Sequence, residues 1–187
     1  MLPNNRILAF VCLCILVRTL TGCGGPSLTP AQDEAAAREL FDTTVKQYHL
    51  PSAEASGEAR ARLLGQAAEG YQKVLKEHPA QAVWCAQALR SLGNVCVSQG
   101  RIDEAIELYR SVSQRYPAQE WDSLQALKAG GDTLWDAGRH DAAREFYQTI
   151  TQRFDRPNTP LIFQTVVRGA RSRLAEQTPE ASKPVSN

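Results

Sequence analysis

Apolar positions recur along the chain in two nested patterns. Between Gly100 and Pro117, Ala105, Leu108, Tyr109 and Val112 fall at i, i+3, i+4 and i+7, which is one stripe on a helix. Asp103 and Glu104 stand where that helix opens, where negative charge suits its amino end. Pro117 stops it. An earlier stripe, Leu89, Leu92 and Cys96, predicts a partner helix, and Gly93 beside it predicts a close approach of the two backbones. Gly100 fits a left-handed residue just past the end of that partner helix.

The second pattern repeats the first every 38 residues. Ala67, Ala105 and Ala143 are in register, as are Tyr71, Tyr109 and Tyr147, and Val74, Val112 and Ile150. His78, Tyr116 and Phe154 follow, which predicts a packing role for His78. Gly93, Gly131 and Gly169 share the offset too. A fixed period of this length means stacked two-helix units, each of which needs its neighbour to cover its apolar face. The ends depart from the register. Thr29-Pro30-Ala31-Gln32 predicts a capped helix start, with the helix running to about Tyr48 and a Pro51–Glu58 loop after it. A longer helix, about Glu58–Glu77, follows. Thr159-Pro160 begins a last helix to about Ala175, with Phe163, Val166, Val167, Ala170 and Leu174 on its apolar face. The expectation is an all-α solenoid of antiparallel helix pairs, about seven helices, over residues 30–176, with a polar disordered tail at 177–187.

The series Leu89, Leu92-Gly93, Cys96, Ala105, Tyr109, Val112 and Pro117 resembles the tetratricopeptide (TPR) repeat. Leu127, Gly131, Leu134, Ala143, Tyr147 and Ile150 carry the resemblance into the next unit, where Gly130 and Asp155 replace the family's Leu and Pro. The resemblance implies a fold that presents surfaces, with the first helix of each pair lining a concave face. Its positions there are Gln87, Arg90, Asn94, Val97 and Ser98, then Gln125, Lys128, Asp132, Trp135 and Asp136. Arg90 and Asn94 resemble half of the carboxylate clamp of some TPR domains, and Trp135 is an aromatic anchor on a polar groove. Arg90, Asn94, Lys128 and Trp135 are therefore the expected partner-binding residues. The alternatives are a solvated polar face and, for Trp135, packing against the last helix.

The amino-terminal segment carries a different signal. Ile7–Val17 is an apolar run too short to span a bilayer as a helix, and it matches the core of a secretory signal. Leu20-Thr21-Gly22-Cys23 follows, and it resembles the lipobox of bacterial lipoproteins. The resemblance implies removal of residues 1–22, lipidation of Cys23 and a short spacer to residue 29. It also implies a cell-envelope location, with the outer membrane facing the periplasm as the expected site. The elongated repeats resemble the periplasmic TPR proteins of outer-membrane barrel assembly and of the Tol–Pal system. An accessory role in such a system is one reading of the whole.

Charge and composition narrow the chemistry. A net charge of +1 gives no electrostatic footprint for nucleic acid. Cys85 and Cys96 stand 11 residues apart on one helix, about 16 Å by helical rise, too far for a disulfide. No phosphate loop, metal-ligand spacing or nucleophile motif is present, so neither enzyme activity, cofactor, metal nor small-molecule substrate is expected. The expected partners are envelope proteins and, through the anchor, the membrane. Charge is uneven: Arg153–Arg173 holds five bases and one acid, a basic end that could dock cell-wall polymer or anionic lipid instead.

Overall fold

The computed structural model describes residues 28–176. The signal-like segment, Cys23 and the tail at 177–187 lie outside the described residues. Helix α1 (Pro30–Thr44) continues through a π-helical turn (Val45–His49) into α2 (Leu50–Glu54). Then come α3 (Gly57–Glu77), α4 (Ala82–Ser98), α5 (Ile102–Arg115), α6 (Glu120–Asp136), α7 (His140–Phe154) and α8 (Leu161–Glu176). Counting α1 to α2 as one rod, seven helical rods stack as antiparallel neighbours, each packed mainly on the one before and the one after. The described chain is an all-α solenoid.

The start of α1 follows its sequence. Thr29 Oγ1 accepts from the Gln32 backbone, Gln32 Oε1 accepts from the Thr29 N–H at 2.9 Å, and Pro30 opens the helix. Its end does not. The residues expected as a loop from Pro51 remain helical to Glu54. Pro51 has no N–H to donate, and its ring crowds the carbonyl one turn back. The π-helical turn just before it widens the helix there, with the Leu50 N–H bonding back to the Val45 carbonyl. Ser52 Oγ donates to the His49 carbonyl at 2.6 Å. The rod therefore passes its proline intact and ends at Ala55, where the backbone turns extended.

Within each pair, at the turn between its two helices, Gly100 and Gly138 adopt φ of +76° and +72°. The Arg101 N–H then reaches the Cys96 carbonyl, and the Arg139 N–H the Leu134 carbonyl, at 2.9 Å each, which closes both helix ends. Gly93 does admit a close approach, but of a ring rather than of a backbone. A Cβ there would lie 2.5 Å from Tyr109 Cε1, and one at Gly131 would lie 2.8 Å from Tyr147 Cε1. Gly130, the departure from the family's Leu, does the same for Phe146 at 2.5 Å. One repeat earlier the two positions are Leu92 and Leu108, so bulk has moved from the first helix to the second.

Gly169 breaks the expected register. It is exposed, with open space where a Cβ would sit. The turn at 155–160 is two residues longer than the one at 116–119, so α8 enters on a 40-residue offset. Phe163, Val167 and Ala170 are buried, with Val166 and Leu174 partly so, which is the face its own periodicity predicted. On that offset Arg171 takes the place of Gly131 and pairs with Asp155. A charged residue where earlier units have an aromatic socket suits a helix that ends the stack. Cys85 and Cys96 are buried free thiols, and burial pushes both thiols up. His78 is buried as expected, yet its role is polar: its Nδ1–H donates to Asp33 at 2.7 Å.

Candidate functional site

The repeat places one tyrosine of each second helix against the neighbouring first helix, and its hydroxyl finds a polar partner there. Tyr109 donates to Asn94 Oδ1 at 2.7 Å, and Tyr147 donates to Asp132 Oδ1 at 2.9 Å. Asn94 and Asp132 stand 38 residues apart, so this bond belongs to the repeat itself. In the first unit His49 Nδ1 meets the Tyr71 hydroxyl at 2.7 Å instead, because the long α1–α2 rod carries His49 to that place. Burial raises all three phenols, Tyr71 to about 12, so all three are neutral, and Tyr109 and Tyr147 are donors. Asn94 thus accepts from the chain's own core, and its exposed edge is what a partner could reach.

Arg90 is half-buried and pairs with Asp122 at 3.3 Å, from α4 to the first turn of α6. Burial pushes the Asp122 carboxyl up while Arg90 draws it down. Removing Arg90 would leave a carboxylate buried without its cation, so this pair ties repeat to repeat. Lys128 pairs with Asp132 one turn along α6. Trp135 is packed from two sides: the Arg173 guanidinium stacks 4.5 Å from its ring centre, and the His140 ring meets it edge-on at 4.6 Å. Its contact with the last helix is therefore real, and it is made by a cation.

Lys128 lines a cleft that the repeat positions alone do not delineate, and Trp135 stands behind its Arg173 wall. It has a volume of about 230 Å³, with Lys128 and Asp132 of α6 on one wall, Tyr147 and Ile150 of α7 as floor, and Val166 and Arg173 of α8 opposite. Arg90 and Asn94 lie one repeat away on α4 and do not line it. Val166 and Arg173 supply the wall that the concave positions of the repeat do not include. The spacing Val166, Ala170, Arg173 puts the guanidinium at the edge of the α8 apolar stripe, and only the 40-residue offset places it against α6. The cleft offers an apolar floor with two cations and one carboxylate at its rim. Such a site accepts a small apolar side chain flanked by an acidic group. Among the described residues, no group of three or more His, Cys, Asp or Glu could hold a metal ion.

The basic carboxy-terminal end is largely committed within the chain. Arg153 donates to the Pro117 carbonyl at 2.8 Å and lies over the Phe154 ring. Arg156 reaches both oxygens of Glu120 at 2.9 and 3.0 Å. Arg171 pairs with Asp155, and Arg173 with Glu176. Three of these bonds span 35 to 36 residues, as do Arg139–Asp103 and Arg110–Glu145, so arginines stitch successive repeats together. Among the described residues Arg168 alone of the five end arginines is exposed without such a bond.

A stack of antiparallel helix pairs on a fixed period, with small residues receiving aromatic knobs, is a TPR-like solenoid. Residues 84–156, the two units from α4 to α7, match the model of the tetratricopeptide repeat family. No curated protein matches the chain. Repeats of this kind present extended surfaces for protein–protein contacts.

Proposed function

We propose that the protein is a lipid-anchored scaffold of the bacterial cell envelope, tethered through Cys23 and holding a partner protein on its concave face. The tetratricopeptide match over residues 84–156 is the observation that carries the scaffold reading. The lipobox-like Leu20–Cys23 carries the anchor. The bound segment presents an apolar side chain to the cleft between α6 and α8, with a carboxylate near Lys128 and Arg173. The engagement of Arg153, Arg156 and Arg171 within the chain favours this cleft over the rest of the basic end as the docking surface.

Two experiments test the two halves separately. Cys23→Ser should abolish fatty-acid labelling and leave the precursor uncleaved; a labelled Cys23→Ser protein, or a mature wild type cut elsewhere, refutes the anchor. For the scaffold, the full chain is used to capture partners from solubilised envelopes. Trp135→Ala removes an aromatic beside the cleft together with the Arg173 stack that forms one wall, and aromatic anchors contribute about 2 kcal/mol or more, against about 0–1 for an exposed charge. It should weaken capture far more than Arg168→Ala does, with circular dichroism unchanged. Equal capture by wild type and Trp135→Ala, with loss on Arg168→Ala, moves the site to the basic end.

A further inference from the structure

The described residues expose six large apolar side chains, and five of them lie along one edge. Antiparallel stacking places the starts of α1, α4, α6 and α8 on the same edge of the solenoid. Leu28 precedes α1, Val83 and Trp121 stand in the first turns of α4 and α6, and Leu161 and Ile162 open α8. Only Leu50, at the far end of the first rod, lies on the other edge. The row follows the repeat. Val83 and Trp121 share the 38-residue register, and Leu161 meets Trp121 on the 40-residue offset of the last helix. Leu161 and Ile162 are 74% and 58% exposed, and Trp121, 38% exposed, rests its ring 5.5 Å from Phe163 in the same first turn of α8. Nothing in the stack requires exposed leucine and isoleucine there. A repeated apolar row that solvent would disfavour marks a surface that something covers.

The charge of this edge is cationic once internal pairs are set aside. Asp33, Glu77, Glu120, Asp122 and Asp155 each have a partner in His78, Lys73, Arg156, Arg90 and Arg171. Lys76 and Arg115, in the last turns of α3 and α5, point from the same edge with no ion pair among the described residues, against one exposed acid, Glu34. The position of the anchor selects the occupant. Cys23 stands five residues before Leu28, so even a fully extended tether reaches only about 18 Å. A thioether lipid on Cys23 therefore holds this edge, and not the opposite one, within reach of the bilayer.

We propose that the edge formed by Leu28, Val83, Trp121, Leu161 and Ile162 lies on the phospholipid bilayer, with Lys76 and Arg115 against anionic headgroups. This inference rests on lipidation of Cys23. Tryptophan is favoured at the level of the headgroups, where an amphipathic ring is half-wet. The two acyl chains of a diacylglyceryl thioether hold the chain at the membrane, and the exposed apolar side chains set which edge of the domain rests on it. The helices then rise from the membrane, and the concave face opens sideways along it.

The test uses the full chain purified from membranes and reconstituted in vesicles of phosphatidylethanolamine and phosphatidylglycerol doped with lipids brominated near the headgroup. Part of the tryptophan emission should be quenched and blue-shifted, and that part should vanish in Trp121→Phe. The double change Leu161→Asp and Ile162→Asp should lose the quenching while keeping the fold, since acidic residues suit the first turn of a helix. Mass analysis of the Cys23 peptide in the same sample separates the two claims. Lipidated protein whose Trp121 emission is unquenched, or is quenched equally in the double variant, overturns the bilayer edge and leaves the anchor standing. An unmodified Cys23 overturns both. If the double variant instead loses a co-purifying protein while Trp121 stays unquenched, the row is a protein interface and the bilayer assignment is wrong.

Discussion

Gly130→Leu is expected to lower the melting temperature, and Phe146→Leu added to it is expected to restore most of the loss. The Phe146 ring edge stands 2.5 Å from where a Cβ on residue 130 would sit, closer than any carbon contact allows. Leucine must push that ring out of a closed core, in which Phe146 is 2% exposed. Overpacking of this kind costs about 1–3 kcal/mol, which is about 3–10 °C in a domain of this size. Phe146→Leu alone opens a cavity over a glycine and loses the Arg110 contact on the ring, so it should destabilise as well. Together the two changes recreate Leu92 and Leu108 of the preceding repeat, a combination the same backbone already holds. A double-mutant cycle by thermal melts should therefore show favourable coupling. If the double variant melts at or below the lower single one, the exchange of bulk between the two helices is not what residue 130 accommodates.

The repeat made most of this fold readable. Alanines, tyrosines and glycines at one offset give helix pairs, their order and their apolar faces, because each unit solves the same packing problem. What the period could not give was where it fails. Pro51 reads as a break, and it is carried by a π-helical turn that no residue pattern announces. Gly169 reads as a third socket, and the two extra residues in the turn at 155–160 rotate it out to solvent. Both failures lie at the ends of the stack, where a helix has one neighbour and the constraint from repetition lapses.

The site was readable in part for the same reason. Placement of Arg90, Asn94, Lys128 and Trp135 on the first helices follows from periodicity. Their partners do not, because Asp122, Tyr109, Asp132 and Arg173 come from other helices. A side chain that looks free along its own helix is thus engaged across the stack. The cleft depends on α8 most of all, and that is the element whose register the sequence misplaced.

Acid should loosen the first rod in two stages. Asp33 secures its start, accepting from His78 Nδ1 and from Gln81 Nε2 at 2.7 Å each. Phe41 packs its middle on Tyr71 and Trp84. His49 secures its far end on the Tyr71 hydroxyl. The hydrogen bond from His78, then that from Gln81, hold the Asp33 carboxyl below its ordinary 3.8. Burial holds His49 below its ordinary 6.5. In both cases the unfolded chain takes up protons first as the pH falls, so stability is complete above the ordinary value and declines towards the lowered one. The His49 stage begins below 6.5 and the Asp33 stage below 3.8. Hydrogen exchange should report it as early loss of protection in α1 and α2, while α4 to α7, which pack on neighbours at both sides, stay protected. His49→Gln keeps a partner for the Tyr71 hydroxyl without a titrating ring and should remove the first stage only. Asp33→Asn should remove the second, and because asparagine cannot accept two charge-assisted bonds, it should also lower the melting temperature at neutral pH. A His49→Gln chain that loses α1 protection below 6.5 as the wild type does would show that His49 is not the group that titrates there.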